Sequence, residues 1–442
     1  MLRRSIAWLA AGALCLAAPP SPNEQSGASS GTFNVMSIRV DGIPAILDPS
    51  DPSDFEKNMN TKYIGEKMAA NDYGIVNVQE DYSYHRTLYQ EARYQFNTET
   101  SGDVPFGSGL NTLSKYGWID FSRVEWYACG NACLTPLGFT FMRVRVDEGV
   151  YIDMINLDID RGYDLDDRVA RRWNIKQLSE FIRTQSEGNA VIVFGNTASL
   201  YSRFEDNIRL LTTQNGLQDA WVKAIGGSAP AIGMDITCPK GVPPNINCED
   251  EQKILYRGSP IINLTCSGFF YDTLEFLSSE GKLLSNQNPV RAEFQWRSNS
   301  NMRLSDPQGG THGTPFNDFI NIPSAAKLAS ITLRGANRLD GLTLKLTSGK
   351  EFTHGGSGGN RYTLKLDPGE YISLVKLCWA KRNGDDRIFY AEAITNKKKA
   401  IHAGQWTNNC TTVVAPGGYG VVGTYGRDGV EIDRLGFIYA KQ

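Results

Sequence analysis

The residues of this sequence that could do chemistry gather at the ends of apolar runs. VIVFGNTAS (191–199) closes on Gly195 and Asn196, GIVNVQE (74–80) closes on Glu80, and YIDMINLDI (151–159) carries Asn156 and Asp158 at its end. A short apolar run of this kind is a buried strand, and the polar residue at its tip is delivered to the edge of a sheet. Carboxylates and amides brought together there can bind a polar substrate, orient water or accept a proton. Of the four histidines, only His85 lies in this half of the chain; His312, His354 and His402 all fall in the other. A general base in the first half is therefore His85, a glutamate or an aspartate, and His85, in YSYHRTLY, reads as a structural hydrogen-bonding residue.

The elements that must position these residues alternate. FNVMSIRV (33–40) and FTFMRVRV (139–146) are strand-like. DDRVARRWNIKQLSEFIRTQ (166–185) repeats Val169, Trp173, Leu178, Phe181 and Ile182 at helical spacing against a charged face. Strand, helix, strand is an α/β pattern, and it extends to about Trp296. The polar, turn-rich residues 297–308 read as a linker. Beyond them, SITLRG, LTLKLTSG and RYTLKLDPGEYISLVKLCW are short alternating strands parted by glycines, which predicts an all-β second domain over 309–442.

Composition narrows the partners. The 442 residues carry 45 Lys and Arg against 48 Asp and Glu, a formal net charge of -3. That balance supplies no basic footprint for nucleic acid. The opening MLRRSIAWLAAGALCLAAPPSP reads as a secretory signal peptide over 1–18, too short to span a bilayer, and no later segment is apolar enough to do so. The expected protein is secreted and extracellular. In an oxidising compartment the remaining cysteines suggest bridges Cys129 to Cys133, Cys238 to Cys248 and Cys378 to Cys410, which leaves Cys266 over. No CxxC pair supports a zinc site. Asn263-Leu264-Thr265 and Asn409-Cys410-Thr411 are glycosylation sequons.

Residues 33–296 resemble the endonuclease/exonuclease/phosphatase superfamily, which includes DNase I-like nucleases and sphingomyelinases. The resemblance runs through FNVMSIRVDGIP, NVQEDYSYHRTLY, VPFGSGLNTLSKYGW, LGFTFMRVRVDEGVYIDMINLDID, NAVIVFGNTAS, CEDEQKILYRGSPI and LSNQNPVRAEF. It implies a two-sheet α/β sandwich in which a divalent metal and a general base cleave a phosphate ester. Such cleavage needs a carboxylate-held cation, a base for the attacking water and donors for the phosphate oxygens.

Several positions depart from that pattern. Arg39 stands where an asparagine is usual, and Asp158 stands for the histidine of NLH, beside a matching Asn156. GDTNS has become GNTAS, with Asn196 and Ala198. SDHNP has become SNQNP, with Asn286 and Gln287, and Gln252 replaces the aspartate before KxxYR. Glu80 alone keeps the metal-binding type. Because loss of a positioned base costs about 10²–10⁴ in rate, these departures predict a pseudoenzyme without a cofactor. The alternative is an active phosphodiesterase with Mg²⁺ at Glu80, Asp158 and Asp160, targeted to glycans. The resemblance also implies that the Arg39 guanidinium projects toward Glu80 and replaces the metal charge, with Asp158 near by; otherwise Arg39 points to solvent.

Residues 309–442 resemble jacalin-related lectins through GGTHGTPFND, HGGSGG, LDPGEYI, AEAITN and GTYGRDGVEIDRLGFIY. The resemblance implies a β-prism whose sugar site joins a glycine loop at Gly313 to the GxxxD loop Gly429 to Asp433, with backbone N–H groups of Val430 and Glu431. A carboxylate can accept two vicinal sugar hydroxyls while glycine lets the ring approach the backbone; the alternative for Asp433 is a turn residue. His312 replaces a glycine common in the first loop. The reading of the whole is α/β plus all-β, with a carbohydrate or glycoconjugate as partner.

Overall fold

The computed structural model describes residues 29–47, 52–130, 135–159, 161–299 and 301–442. The expected signal peptide, Cys133 with its bridge to Cys129, and Asp160 lie outside them.

Two six-stranded sheets form the first domain. One runs Ile262–Tyr271, Val290–Ser298, Ser30–Arg39, Ile75–Gln79, Asn111–Ser114, Phe96–Asn97, and the other Trp118–Glu125, Gly138–Asp147, Val150–Leu157, Ala190–Asn196, Gln252–Arg257, Gln218–Asp219. Each has one parallel pair at its centre: Ser30–Arg39 with Ile75–Gln79, and Val150–Leu157 with Ala190–Asn196. These central strands read as nearly continuous apolar runs because both of their faces are covered. Val35, Ile75, Ile155 and Val193 are fully buried between the sheets, and helices lie outside. The parallel pairing aligns strand ends, so Arg39, Glu80, Asp158 and Asn196 emerge along one edge.

The helix Leu165–Gln185 corrects one sequence expectation. Its buried residues include Ala170, Ile175, Leu178 and Ile182, whereas Val169 and Trp173 are exposed. Charged residues complete the inner face: Arg171 is buried and bonds Asp206 Oδ1 through Nε at 3.1 Å, which an apolar count overlooks. Asp164 and Asp167 cap the helix start reciprocally.

The second domain is built from three antiparallel sheets. Their orders are Met302–Leu304, Ile432–Lys441, Tyr419–Asp428, Thr314–Asn317; Glu351–Gly355, Leu339–Leu346, Leu328–Gly335, Asn360–Lys365; and Ala400–Gly404, Asp385–Thr395, Ile372–Arg382, Asn409–Val414. All three turn apolar faces inward, a β-prism. The segment 297–308, expected as a linker, carries strand structure: Met302–Leu304 and Gln308–Gly309 both pair with Ile432–Lys441. Cys238 bonds Cys248 and Cys378 bonds Cys410, while Cys266 is free and buried.

The domains pack directly. Arg434 of the prism meets Asp120 in a buried ion pair, Tyr151 donates to Asp306, and Asn317 Nδ2 donates to Asn189 Oδ1 at 3.1 Å. Among the described residues no helix is long and apolar enough to cross a membrane.

Candidate active site and sugar-binding loop

Arg39 ends its strand beside Gln79 of the parallel neighbour, and the chain turns at once into Glu80. Glu80 adopts a left-handed φ of 55°, a conformation that costs a non-glycine residue energy and persists only where its surroundings impose it. The imposing contacts are backbone ones. Val40 N donates to Gln79 O at 3.0 Å and Gly42 N to Glu80 O at 2.8 Å. A Cβ at position 42 would lie 2.4 Å from Glu80 O, so only glycine fits.

This turn holds the carboxylate of Glu80 against the guanidinium of Arg39. Nε and Nη2 of Arg39 engage the two different oxygens of Glu80 in a forked pair. Arg39 therefore faces Glu80, not solvent, and it is only 3 % exposed. Its third nitrogen, Nη1, lies 3.7 Å from Asp158 Oδ1 and is buried without a hydrogen-bond partner. Arg161, which sequence reasoning missed, places Nη2 3.7 Å from Glu80 Oε1 at the half-open mouth. Burial pulls the Arg39 pKa down to about 9, with Asp158 opposing, so the group stays cationic at neutral pH.

Asp158 and Asn196 form a parallel bridge at the tips of adjacent strands, and Asn196 Nδ2 donates to Asp158 Oδ1 at 2.7 Å. Asn196 Oδ1 accepts from Ala198 N at 3.0 Å, which closes the turn in which buried Ala198 takes a φ of 47°. The amides behind them stitch the two sheets. Asn156 Nδ2 donates to Val78 O and Asn111 O, both at 2.9 Å, and its Oδ1 accepts from Gln79 Nε2 at 2.8 Å. Gln252 Oε1 accepts from Ser37 Oγ at 2.8 Å, and its Nε2 donates to Gln79 Oε1 at 3.1 Å and Gln287 Oε1 at 3.0 Å. Gln287 is half-buried at the mouth and Asn286 is exposed. His85 stands aside: its Nδ1 bonds Tyr82 O at 2.9 Å.

A divalent ion does not fit this donor set. Both oxygens of Glu80 are taken by one guanidinium and a second cation stands within 4 Å, where an added dication would be repelled. Among the described residues no group of three or more His, Cys, Asp or Glu could hold a metal.

In the prism, Gly313 and Asp433 are brought together. Gly313 has a φ of 82°, and a Cβ there would lie 2.3 Å from Asp433 Oδ2. Gly429 follows the strand Tyr419–Asp428, and Val430 projects outward at 78 % exposure. Asp433 is buried, which raises its pKa, and its Oδ1 meets Arg387 Nη1 at 2.9 Å and His312 Nε2 at 2.7 Å. The Glu431 side chain turns to Arg338, whose Nε and Nη2 lie 2.7 and 2.6 Å from its oxygens, and to Arg382. These arginines had no local signal in the sequence; Arg387 lies 46 residues from Asp433.

This geometry meets known proteins at two places. Residues 305–438 match the family model of the Jacalin-like lectin domain. The C-terminal region thus carries a jacalin-like domain. The N-terminal region is similar to curated sphingomyelinases of Mycobacterium bovis and Mycobacterium tuberculosis, 30 % identical over 283 residues, covering 62 % of this chain and 55 % of theirs. The chain spans about half the length of those relatives. Among solved structures, sphingomyelinase C from Streptomyces griseocarneus is 17 % identical with a TM-score of 0.40, covering 60 % of this chain and 99 % of that one. A mannose-binding jacalin-related lectin from Ananas comosus is 25 % identical with a TM-score of 0.29, covering 32 % and 100 %.

The similarity to sphingomyelinases overturns the expectation of a pseudoenzyme. Identity of 30 % sustained over 283 residues with proteins of that name points to a hydrolase. The departures from the motifs had suggested lost chemistry, but counting them one by one ignores their partners. Arg39, Asp158, Asn196 and Gln252 belong to an interlocked polar edge.

Proposed function

We propose that this chain is a secreted phosphodiester hydrolase brought to glycan-bearing surfaces by its jacalin-like domain. The observation that carries the reading is the similarity to sphingomyelinases, 30 % identical over 283 residues. A choline-type phospholipid diester is the substrate class that similarity suggests. The two disulfides fit an oxidising, extracellular compartment, and a carbohydrate is the partner that the C-terminal domain suggests.

The chain's own residues supply the roles. Arg161 at the mouth and the unpartnered Nη1 of Arg39 on the floor are donors for phosphate oxygens. Asn196 orients Asp158, and Asp158 is the carboxylate left to accept a proton, because Glu80 is committed to Arg39. Water oxygen bonds to phosphorus as the ester P–O bond breaks. The water's proton passes to Asp158, and the departing alkoxide takes a proton from solvent. In the prism, Asp433 and the loop from Gly429 with Gly313 receive the sugar.

Two assays on the full chain test this. Hydrolysis of bis(p-nitrophenyl) phosphate is expected for the native protein and to fall about 10²–10⁴-fold in Asp158→Asn, the usual worth of a positioned base. Glycan-array binding is expected to vanish in Asp433→Ala. A native protein that neither hydrolyses diesters nor binds any glycan overturns the reading.

A further inference from the structure

We infer that the cation of this reaction centre is a pair of guanidinium groups, Arg39 with Arg161, and that the domain binds and cleaves its phosphodiester without a divalent metal. The inference rests on the hydrolase reading above and adds the identity of the electrophile.

Four observations carry it. The forked pair between Arg39 and Glu80 uses both carboxylate oxygens, the atoms through which a glutamate would ligate an ion. That pair is fixed rather than incidental, because the left-handed turn at Glu80 is locked by Gly42, whose Cβ would strike Glu80 O. Arg39 Nη1 is buried without a hydrogen bond, its ion-pair neighbour Asp158 Oδ1 standing off at 3.7 Å. A buried donor without an acceptor is costly, and a phosphate oxygen is an acceptor of the right charge. Finally, Arg161 adds a second positive charge at the mouth, 37 % exposed in its side chain and so within a ligand's reach. Together they present two positive charges, the formal charge of the ion they replace. A guanidinium also offers a planar fork of N–H donors matched to phosphate.

The groups facing Arg39 are Glu80, Asp158, Arg161, Tyr82 and Asp41. The two carboxylates in direct range, Glu80 and Asp158, balance the two arginines. A phosphodiester therefore enters a site without excess negative charge to repel it.

The test uses the full chain freed of metal with EDTA and read in two ways. Calorimetric titration with Mg²⁺ and with Mn²⁺ is expected to show no saturable binding up to millimolar concentration. Turnover of bis(p-nitrophenyl) phosphate is expected to be equal, within twofold, in EDTA and in Mg²⁺. Arg39→Asn should lose at least 100-fold in turnover in EDTA and gain Mn²⁺ binding, while Arg39→Lys keeps the charge but loses the fork and should retain part of the rate without gaining metal. Thermal unfolding of each variant separates these effects from misfolding. Turnover abolished by EDTA and restored by Mg²⁺ overturns the inference, as does saturable Mg²⁺ binding by the native chain that disappears in Glu80→Gln. Absence of turnover in every condition defeats the hydrolase reading, and the metal titrations then still decide the role of Arg39.

Discussion

At the scale of single residues, the buried pair of Arg39 and Glu80 is expected to govern stability and, on the proposed reading, chemistry. Each of the two is less than a tenth exposed, so removing one strips the other, a buried charge, of its forked bonds and leaves it only a neighbour at 3.7 Å. Glu80→Gln is therefore expected to destabilise the chain by about 3–5 kcal/mol, measured by denaturant unfolding. The double replacement Arg39→Met with Glu80→Leu is expected to cost less than Glu80→Gln alone, because it removes both charges together. A double variant as unstable as the sum of the singles would contradict this. The sequence announced Glu80 through its motif and suggested the direction of Arg39. It did not announce Arg161, because nothing local marks an arginine three residues after Asp158 as the second cation. Nor did it mark Arg387, which reaches Asp433 from another strand of the prism, or Arg338, which reaches Glu431 from the turn between two others.

At the scale of elements, strands were more legible than helix faces. Apolar runs such as AVIVFGN and VYIDMINL are buried throughout their length, as their composition requires. In the helix Leu165–Gln185 the expected inner face holds at Leu178, Phe181 and Ile182 but fails in the first turns, where Arg171 and Asn174 point inward while Val169 and Trp173 point outward. An apolar count cannot see that a charged side chain is satisfied by a distant partner, here Asp206. The packing gives a direct check. Leu178→Ala is expected to cost about 2–5 kcal/mol as a buried leucine truncation. Trp173→Ala, half-exposed with Lys176 over its ring, is expected to cost below about 1 kcal/mol. Equal losses at the two positions would overturn the observed register.

At the scale of the whole molecule, the sequence signalled two domains but not how they meet. Residues 297–308 look like a linker because they are polar and turn-rich, yet two short stretches of them complete a prism sheet. The partner of Arg434 is Asp120, more than three hundred positions earlier, a pairing that no local pattern can reveal. Because that ion pair is buried between the domains, the native chain is expected to unfold in one calorimetric transition. Asp120→Ala, which strands Arg434, is expected to cost about 3–5 kcal/mol and to separate two transitions. Two transitions already in the native protein would contradict a coupled interface. Direct packing also holds the polar edge of the first domain in a set position relative to the prism. The most direct test of a hydrolytic first domain is the initial rate of diester hydrolysis by the purified full chain on sphingomyelin vesicles, native beside Asp158→Asn. The native protein is expected to release the phosphorylated headgroup, and the variant to be slower by about 10²–10⁴-fold. A native rate no higher than buffer alone, or one unchanged by the substitution, would contradict it.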